Sequence, residues 1–242
     1  MQWVSAVLAV VFLAVLILMH RRTRARIKAE RASLFEPALP LFERYRVEQD
    51  DVNFPVLKGR YRGYEVKLEP IVDHIAMRKL PSLWLLATVR ADLPQAGVLD
   101  LLARPLNTEF FSPAGELEHR LKTPTGFPRE VEARTDRPDA LPPEAVVAAQ
   151  ADLFEDRRMK ELVIAPKGVR LVYQLAEGER PYYMVLRQIE FGRAVQLEPA
   201  LARRLLDRAI ALIEELRRSS PADAGAGRHR QEDHDEATAN QA

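Results

Sequence analysis

The sequence predicts an α+β protein: one N-terminal transmembrane helix, one small domain of antiparallel β-hairpins or a meander packed by two to three helices, and a disordered C-terminal tail. Three observations lead to this fold class. An uncharged apolar stretch begins the chain, apolar and charged residues alternate in its middle, and an amphipathic stripe follows near its end. The expected segments are the helix at 1–19, a basic juxtamembrane connector at 20–53, the domain at 54–218 and an acidic tail at 219–242.

Composition excludes several classes of protein. The 242 residues are 47% hydrophobic and 29% charged, with no cysteine and a formal net charge of +1. Such a chain is too apolar to be disordered throughout, and it has no disulfide, thiolate metal site or cysteine nucleophile. A charge near zero argues against a basic nucleic-acid binder, so no nucleic-acid partner is expected. Arginine outnumbers lysine by 29 to 7, which hints at a high-GC bacterial source.

The first apolar stretch predicts a helix that spans a membrane. Residues 3–19 have Ser5 as their only polar side chain and lack proline and glycine. Their number is close to the roughly 20 residues that a spanning helix needs. A cleaved signal peptide would carry positive charge before the apolar core and a small-residue cleavage site after it, whereas this core runs directly into arginines. The stretch also lacks the polar face of a helix in a soluble domain.

Charge after the span predicts its orientation. The basic residues of this region all follow the apolar stretch: Arg21, Arg22, Arg24, Arg26, Lys28 and Arg31. Basic flanks stay in the cytoplasm, so the N-terminus is expected outside and the domain inside, at a bacterial inner membrane. The five from Arg21 to Lys28 are expected to contact anionic lipid headgroups, at about 1 kcal/mol each. The alternative is that they are topology signals alone.

The middle of the chain predicts strands. Residues 54–72 alternate about a turn at Arg62-Gly63, which is typical of a hairpin. The continuous apolar run 83–89 predicts a strand buried on both faces. Further strands are expected at 131–133 and, as a three-stranded meander, at the following segments: 162–164, 169–175 and 182–191.

Three helices are expected in the domain. Asp92 as N-cap and Pro105 as terminator predict the first, with Val98, Leu101 and Leu102 facing inward. Helical spacing of apolar residues predicts the second over 142–159 and the third over 197–216. The mixed-charge run 155–161 is interpreted as a solvated helix end.

Few residues indicate catalytic chemistry. The sequence contains no P-loop, dinucleotide glycine fingerprint, HExxH or GxSxG motif. The pair Asp73-His74 follows a predicted strand end, and Ser82 or Ser112 would complete a hydrolytic triad. The alternative is that His74 is an ordinary loop residue. No metal site and no cofactor are expected.

One arginine is a candidate contact residue. Alternation places Arg187 on an otherwise apolar face of the predicted strand 182–191. A lone arginine on such a face needs a buried carboxylate or an interface partner. Arg187 is therefore a candidate contact for a partner or an anion, with a structural ion pair as the alternative.

Three hypotheses about function follow. The arrangement resembles that of bacterial proteins that pair an N-terminal anchor with a small cytoplasmic α+β domain. The first hypothesis is a non-enzymatic, membrane-tethered interaction or scaffold module with a protein partner. The second is a membrane-tethered, hydrolase-like enzyme with a site near Asp73 and His74. The third is a module that binds anionic lipid.

Overall fold

The computed structural model describes residues 2–73, 80–181, 183, 189, 191–192 and 195–219. It shows an N-terminal apolar helix followed by an antiparallel sheet domain with a few helices, as the sequence predicts. The longer helices are α1 (Gln2–Ala32) and α3 (Pro199–Arg218), and α2 is short (Glu144–Ala148). Single 3₁₀ segments occur at Ser33–Leu41, Pro113–Gly115, Pro138–Ala140 and Ala151–Glu155.

Nine strands are present in the described chain. Those of the first part are β1 (Arg44–Glu48), β2 (Val56–Tyr61), β3 (Tyr64–Asp73) and β4 (Ser82–Arg90). Those of the second part are β5 (Leu99–Ala103), β6 (His119–Leu121), β7 (Val131–Thr135), β8 (Met159–Ala165) and β9 (Gly168–Glu177). Strand β1 lies in the segment that the sequence analysis assigned to the connector.

The chain divides into two compact units. Unit 1 comprises residues 1–86 and 174–203, and unit 2 comprises 87–173 and 204–242. In unit 1 the strand order is β1-β2-β3-β4, and in unit 2 β9 is followed by β8, β5, β7 and β6.

Unit 1 is built on the predicted hairpin. Strands β2 and β3 pair antiparallel with Tyr61 opposite Tyr64. The turn residues Arg62 and Gly63 both have positive φ (49° and 81°), as a two-residue type I′ turn requires. The core of this unit combines strand residues with the 3₁₀ segment after α1; fully buried members are Leu34, Phe35, Leu57, Leu68, Leu83 and Leu85.

Unit 2 is built on β5, and the helix predicted for this segment is therefore wrong. Leu99 and Ala103 are buried together with Leu101 and Leu102, so both faces of the segment are covered. A helix would bury one stripe only, whereas β5 lies between β7 and β8 and is paired antiparallel with both. The apolar run 98–103, interrupted by Asp100 alone, is therefore a better guide to this segment than the apparent N-cap at Asp92.

The helix predicted over 142–159 is also corrected. Helix α2 is followed by a 3₁₀ segment, and β8 already begins at Met159. The Asp156 carboxylate accepts the backbone N–H of Arg158 at 3.0 Å, a local turn that competes with helix continuation.

The late strands and the last helix largely agree with prediction. Strands β8 and β9 form the predicted antiparallel hairpin, with Ala165 opposite Gly168. Segment 182–191, the expected third meander strand, lies mostly outside the described residues. Helix α3 has the predicted apolar stripe, and its buried members in unit 2 are Leu205, Leu206, Ala209, Ile210, Leu212, Ile213 and Leu216.

Candidate functional site

The basic residues after the apolar stretch lie on α1 itself. The helix continues unbroken from the apolar part to Ala32, about 20 Å beyond Met19 at 1.5 Å per residue. Arg21, Arg22, Arg24, Arg26 and Lys28 are all exposed. We call these five residues the basic collar. Of the described chain, this helix alone is long and apolar enough to cross a membrane; its apolar window has a mean hydropathy of 2.5 and is unburied.

A turn of unit 1, residues 49–54, is hydrogen-bonded to the collar end of α1. Gln49 donates from Nε2 to the carbonyl oxygen of Lys28 at 3.0 Å. Arg31 donates from Nη1 to the carbonyl oxygen of Val52 at 2.8 Å. These contacts, 21 residues apart in sequence, fix the helix to the turn.

Side-chain charge strengthens the same contact. Asp51 forms an ion pair and hydrogen bond with Arg24, which lowers the pKa of the Asp51 carboxyl. Asp51 has φ 47°, a left-handed conformation that aspartate tolerates better than most residues. The Arg31 guanidinium lies 4.9 Å from the Phe54 ring centroid, within cation–π range.

Asp73, the candidate catalytic carboxylate, is buried at the end of β3. Its Oδ2 accepts a hydrogen bond from Trp84 Nε1 at 3.5 Å. His74 and Arg187 lie outside the described residues. The Asp73–His74 site and the Arg187 contact therefore stay predictions.

Ser112 lies beside a different pair of carboxylates, Asp100 on β5 and Glu161 on β8. Asp100 is 1% exposed and Glu161 is fully buried. Asp100 is opposite Val163, so Glu161 is its diagonal neighbour on the same sheet face. The Ser112 hydroxyl donates to Asp100 Oδ2 at 3.2 Å, and Arg170 on β9 donates to Glu161 Oε2 at 3.2 Å. We call Asp100 and Glu161 the acid pair.

Burial dominates the electrostatics of the acid pair. It raises the pKa of Asp100 to about 8, helped by the neighbouring charge of Glu161 and opposed by Ser112, Arg170 and Arg134. Burial likewise raises the pKa of Glu161, against the charge of Arg170. Within the described chain, Asp100 Oδ1 and Glu161 Oε1 lack a hydrogen-bond partner. Since two adjacent buried carboxylates resist ionising together, the pair retains a proton at neutral pH.

A buried ion pair lies next to the acid pair in sequence. Lys160 Nζ donates to Glu109 Oε1 at 2.6 Å and to the carbonyl oxygens of Ala103 and Arg104 at 2.9 Å each. The two side chains are 5% and 4% exposed. Burial lowers the pKa of Lys160. For Glu109, burial opposes ionisation, but the Lys160 hydrogen bond and charge outweigh it and lower the pKa. The ion pair therefore fixes the loop after β5 to strand β8.

Unit 2 also has a groove of about 490 Å³ beside α3. Asp156 accepts hydrogen bonds from Tyr173 Oη at 2.9 Å and from Arg204 Nη2 at 3.1 Å. Arg208 pairs with Asp152 at the same groove. The apolar lining consists of Leu153, Met159, Leu205 and Ala211. The volume suits a small ligand or a few side chains of a partner.

No group of three or more histidine, cysteine, aspartate or glutamate side chains that would hold a metal ion occurs among the described residues. The acid pair supplies two carboxylates and faces Arg170, which competes for the same oxygens.

The acid pair and Lys160 were missed by sequence reasoning. The interpretation of the run 155–161 as a solvated helix end is wrong, since Lys160 and Glu161 are both buried on β8. The available signal was a single carboxylate inside an apolar run. Asp100 interrupts 98–103, and Glu161 immediately precedes an apolar triplet. A charge in such a position is buried when the run forms a central strand.

No protein-family model matches the chain, and no curated protein is similar to it at a significant level.

Proposed function

We propose that this protein is a single-pass protein of the bacterial inner membrane, with its N-terminus outside and its domain in the cytoplasm. In this proposal it acts as a non-enzymatic interaction or scaffold module for a protein partner. One observation carries the proposal: an unburied apolar helix continues without a break into an exposed basic collar that is fixed to the domain.

The dimensions of α1 support a position close to the bilayer. Residues 3–19 span about 26 Å as a helix, against a hydrocarbon core of about 30 Å. Arg24 lies five residues past Met19, which is about 8 Å and therefore at headgroup depth. The turn that pairs with Arg24 is held at the same depth. Unit 1 then has little freedom to swing away from the membrane, as a scaffold with a defined orientation requires.

The described polar groups favour binding over catalysis. In the groove, Asp156 is paired with Tyr173 and Arg204, and Arg208 is paired with Asp152. Groups paired in this way fix the shape of a surface. Catalysis needs a nucleophile or base within reach of a substrate.

The test is site-specific photocrosslinking of the full chain in its native membrane. A photoreactive residue is placed at single exposed positions over the domain. We expect adducts of one defined mass from one contiguous patch. Removal of residues 1–19 should lower their yield about tenfold or more, because tethering raises the effective concentration of the partner. A membrane-inserted chain that yields no protein adduct at any exposed position contradicts the proposal.

A second candidate function is acid–base chemistry at the acid pair. It is favoured by one specific observation, the Ser112 hydroxyl held 3.2 Å from Asp100 Oδ2 while Ser112 itself is only part-buried. A buried carboxyl with a raised pKa can release and take up a proton near neutral pH, which is the exchange that acid–base chemistry needs.

A serine-directed fluorophosphonate probe tests this candidate. Modification at Ser112 that is lost in both Asp100→Asn and Glu161→Gln supports it, because an activated hydroxyl depends on its base. A full chain in which Ser112 stays unmodified counts against the enzyme and leaves the interaction module as the remaining proposal.

A further inference from the structure

An open notch of about 600 Å³ lies between α1 and the turn that carries Asp51. Its helix wall is formed by Leu16, Ile17, His20, Arg21 and Arg24. These residues are spaced i, i+1, i+4, i+5 and i+8, so they form one continuous strip along the helix. The strip changes from apolar to basic within two turns, at the point where the proposed span ends.

The turn forms a fixed upper lip over the notch. Asp51 is ion-paired with Arg24, and Gln49 is hydrogen-bonded both to the Lys28 carbonyl at 3.0 Å and to the Asn53 carbonyl at 2.9 Å. The Arg24 guanidinium is therefore held in a defined position, whereas an unpaired surface arginine rotates freely. Below the lip, neither His20 nor Arg21 has a hydrogen-bond or ion-pair partner among the described residues.

The two ends of the notch match the two ends of a phospholipid. In the proposed membrane position, Leu16 and Ile17 would lie at the depth of acyl chains, and His20, Arg21 and Arg24 at the depth of phosphates. Arginine presents several N–H donors that suit phosphate oxygens. We propose that this notch binds the headgroup phosphate of one anionic phospholipid, with an acyl chain along Leu16 and Ile17. The inference rests on the proposed membrane anchor.

The collar arginines outside the notch serve as a comparison for the two that line it. Arg22 and Arg26 lie two residues either side of Arg24, so a period of 3.6 residues places them on the opposite side of α1. Arg26 pairs with Glu30 at 2.7 Å. These two arginines have the same charge and nearly the same depth as Arg21 and Arg24, but no turn overhangs them in the described structure.

The experiment compares two double variants of the full chain. Arg21→Gln/Arg24→Gln removes the notch arginines, and Arg22→Gln/Arg26→Gln removes the same charge from the opposite side. Each chain is reconstituted in vesicles of equimolar phosphatidylcholine and phosphatidylglycerol. Lipid retained on each chain is then identified by native mass spectrometry. The wild-type chain should retain one phosphatidylglycerol in preference to phosphatidylcholine. The first double variant should lose about tenfold more of this preference than the second, the equivalent of one charge-assisted hydrogen bond.

A third variant tests whether the lipid preference depends on the shape of the notch as well as on its charge. Gln49→Ala removes the two hydrogen bonds that Gln49 makes and leaves the net charge unchanged, so the preference should fall as well. Equal losses of the phosphatidylglycerol preference in the two double variants, with no change in Gln49→Ala, contradict a specific lipid site at the notch. They would indicate diffuse binding of lipid over the whole basic collar. A chain that does not float with the vesicles contradicts the membrane anchor, and the notch with it.

Discussion

At the scale of the residue, burial next to Glu161 strongly perturbs the carboxyl of Asp100. The carboxyl of Asp100 ordinarily has a pKa of 3.8, and in the folded chain it has a pKa of about 8. The folded chain therefore binds a proton that the unfolded chain has released between about pH 4 and pH 8. Any stabilisation that depends on this proton is complete at low pH and is lost as the pH rises through that window.

This difference predicts a pH dependence for Asp100→Asn. Between about pH 4 and 8, the wild-type free energy of unfolding should fall relative to the variant by up to about 1.4 kcal/mol per pH unit, and the difference should be constant above pH 8. Urea unfolding of the full chain in detergent micelles measures it at several pH values. Asp92→Asn, at an exposed carboxylate, is the control and should parallel wild type. Parallel curves for Asp100→Asn and wild type would show that Asp100 is not protonated in the folded state.

The buried ion pair gives a second residue-scale prediction. Lys160→Met leaves the Glu109 carboxylate buried without its partner, so the free energy of unfolding should fall by about 3–5 kcal/mol. Lys160→Met/Glu109→Gln should recover part of the loss, because the uncompensated charge is removed.

Lys167→Met is the matched control for this pair. Lys167 pairs with Asp92 on the surface, where both side chains are more than four-fifths exposed. The loss of this exposed pair should cost far less stability than the loss of the buried pair. Equal costs for Lys160→Met and Lys167→Met would be incompatible with a stabilising buried pair.

At the scale of the element, the sequence predicts those elements whose structure is determined by the local pattern of residues. It does not predict those whose structure is determined by pairing with strands distant in sequence. The β2–β3 hairpin and α3 follow from local pattern, since turn chemistry and a long apolar stripe specify them. Strand β5 does not, because its five residues become a strand only through pairing with β7 and β8, both distant in sequence. The proximity of Asp100 and Glu161 could not be predicted for the same reason, because the two residues meet only when β5 pairs with β8.

The β8–β9 turn provides an element-scale prediction. Gly168 has φ 140°, and a Cβ there would lie 2.2 Å from the carbonyl oxygen of Val89. Gly168→Ala should therefore cost at least about 2 kcal/mol from backbone strain and displacement of β4. Gly115→Ala, where a Cβ meets nothing within 4 Å, should change stability by about 0.5 kcal/mol or less. Thermal unfolding of the two variants compares them directly. A cost for Gly168→Ala no larger than for Gly115→Ala would argue against the close approach of Gly168 to β4.

At the scale of the whole molecule, the net charge of +1 conceals an uneven distribution. Residues 1–31 have six basic and one acidic side chain, 32–218 have 28 basic and 29 acidic, and 219–242 have two basic and five acidic. The excess of positive charge is confined to the segment next to the apolar stretch. The proposed orientation, with the domain on the cytoplasmic side, is inferred from this distribution.

Because the chain has no cysteine, single cysteines report its topology directly. Gln2→Cys marks the N-terminus, and Asp139→Cys marks an exposed position of the domain. Each variant is treated with a membrane-impermeant maleimide in intact bacterial spheroplasts and again after permeabilisation. We expect labelling of Gln2→Cys in intact spheroplasts and labelling of Asp139→Cys only after permeabilisation. Labelling of Asp139→Cys in intact spheroplasts, or recovery of the chain in the soluble fraction, would contradict the proposed membrane topology.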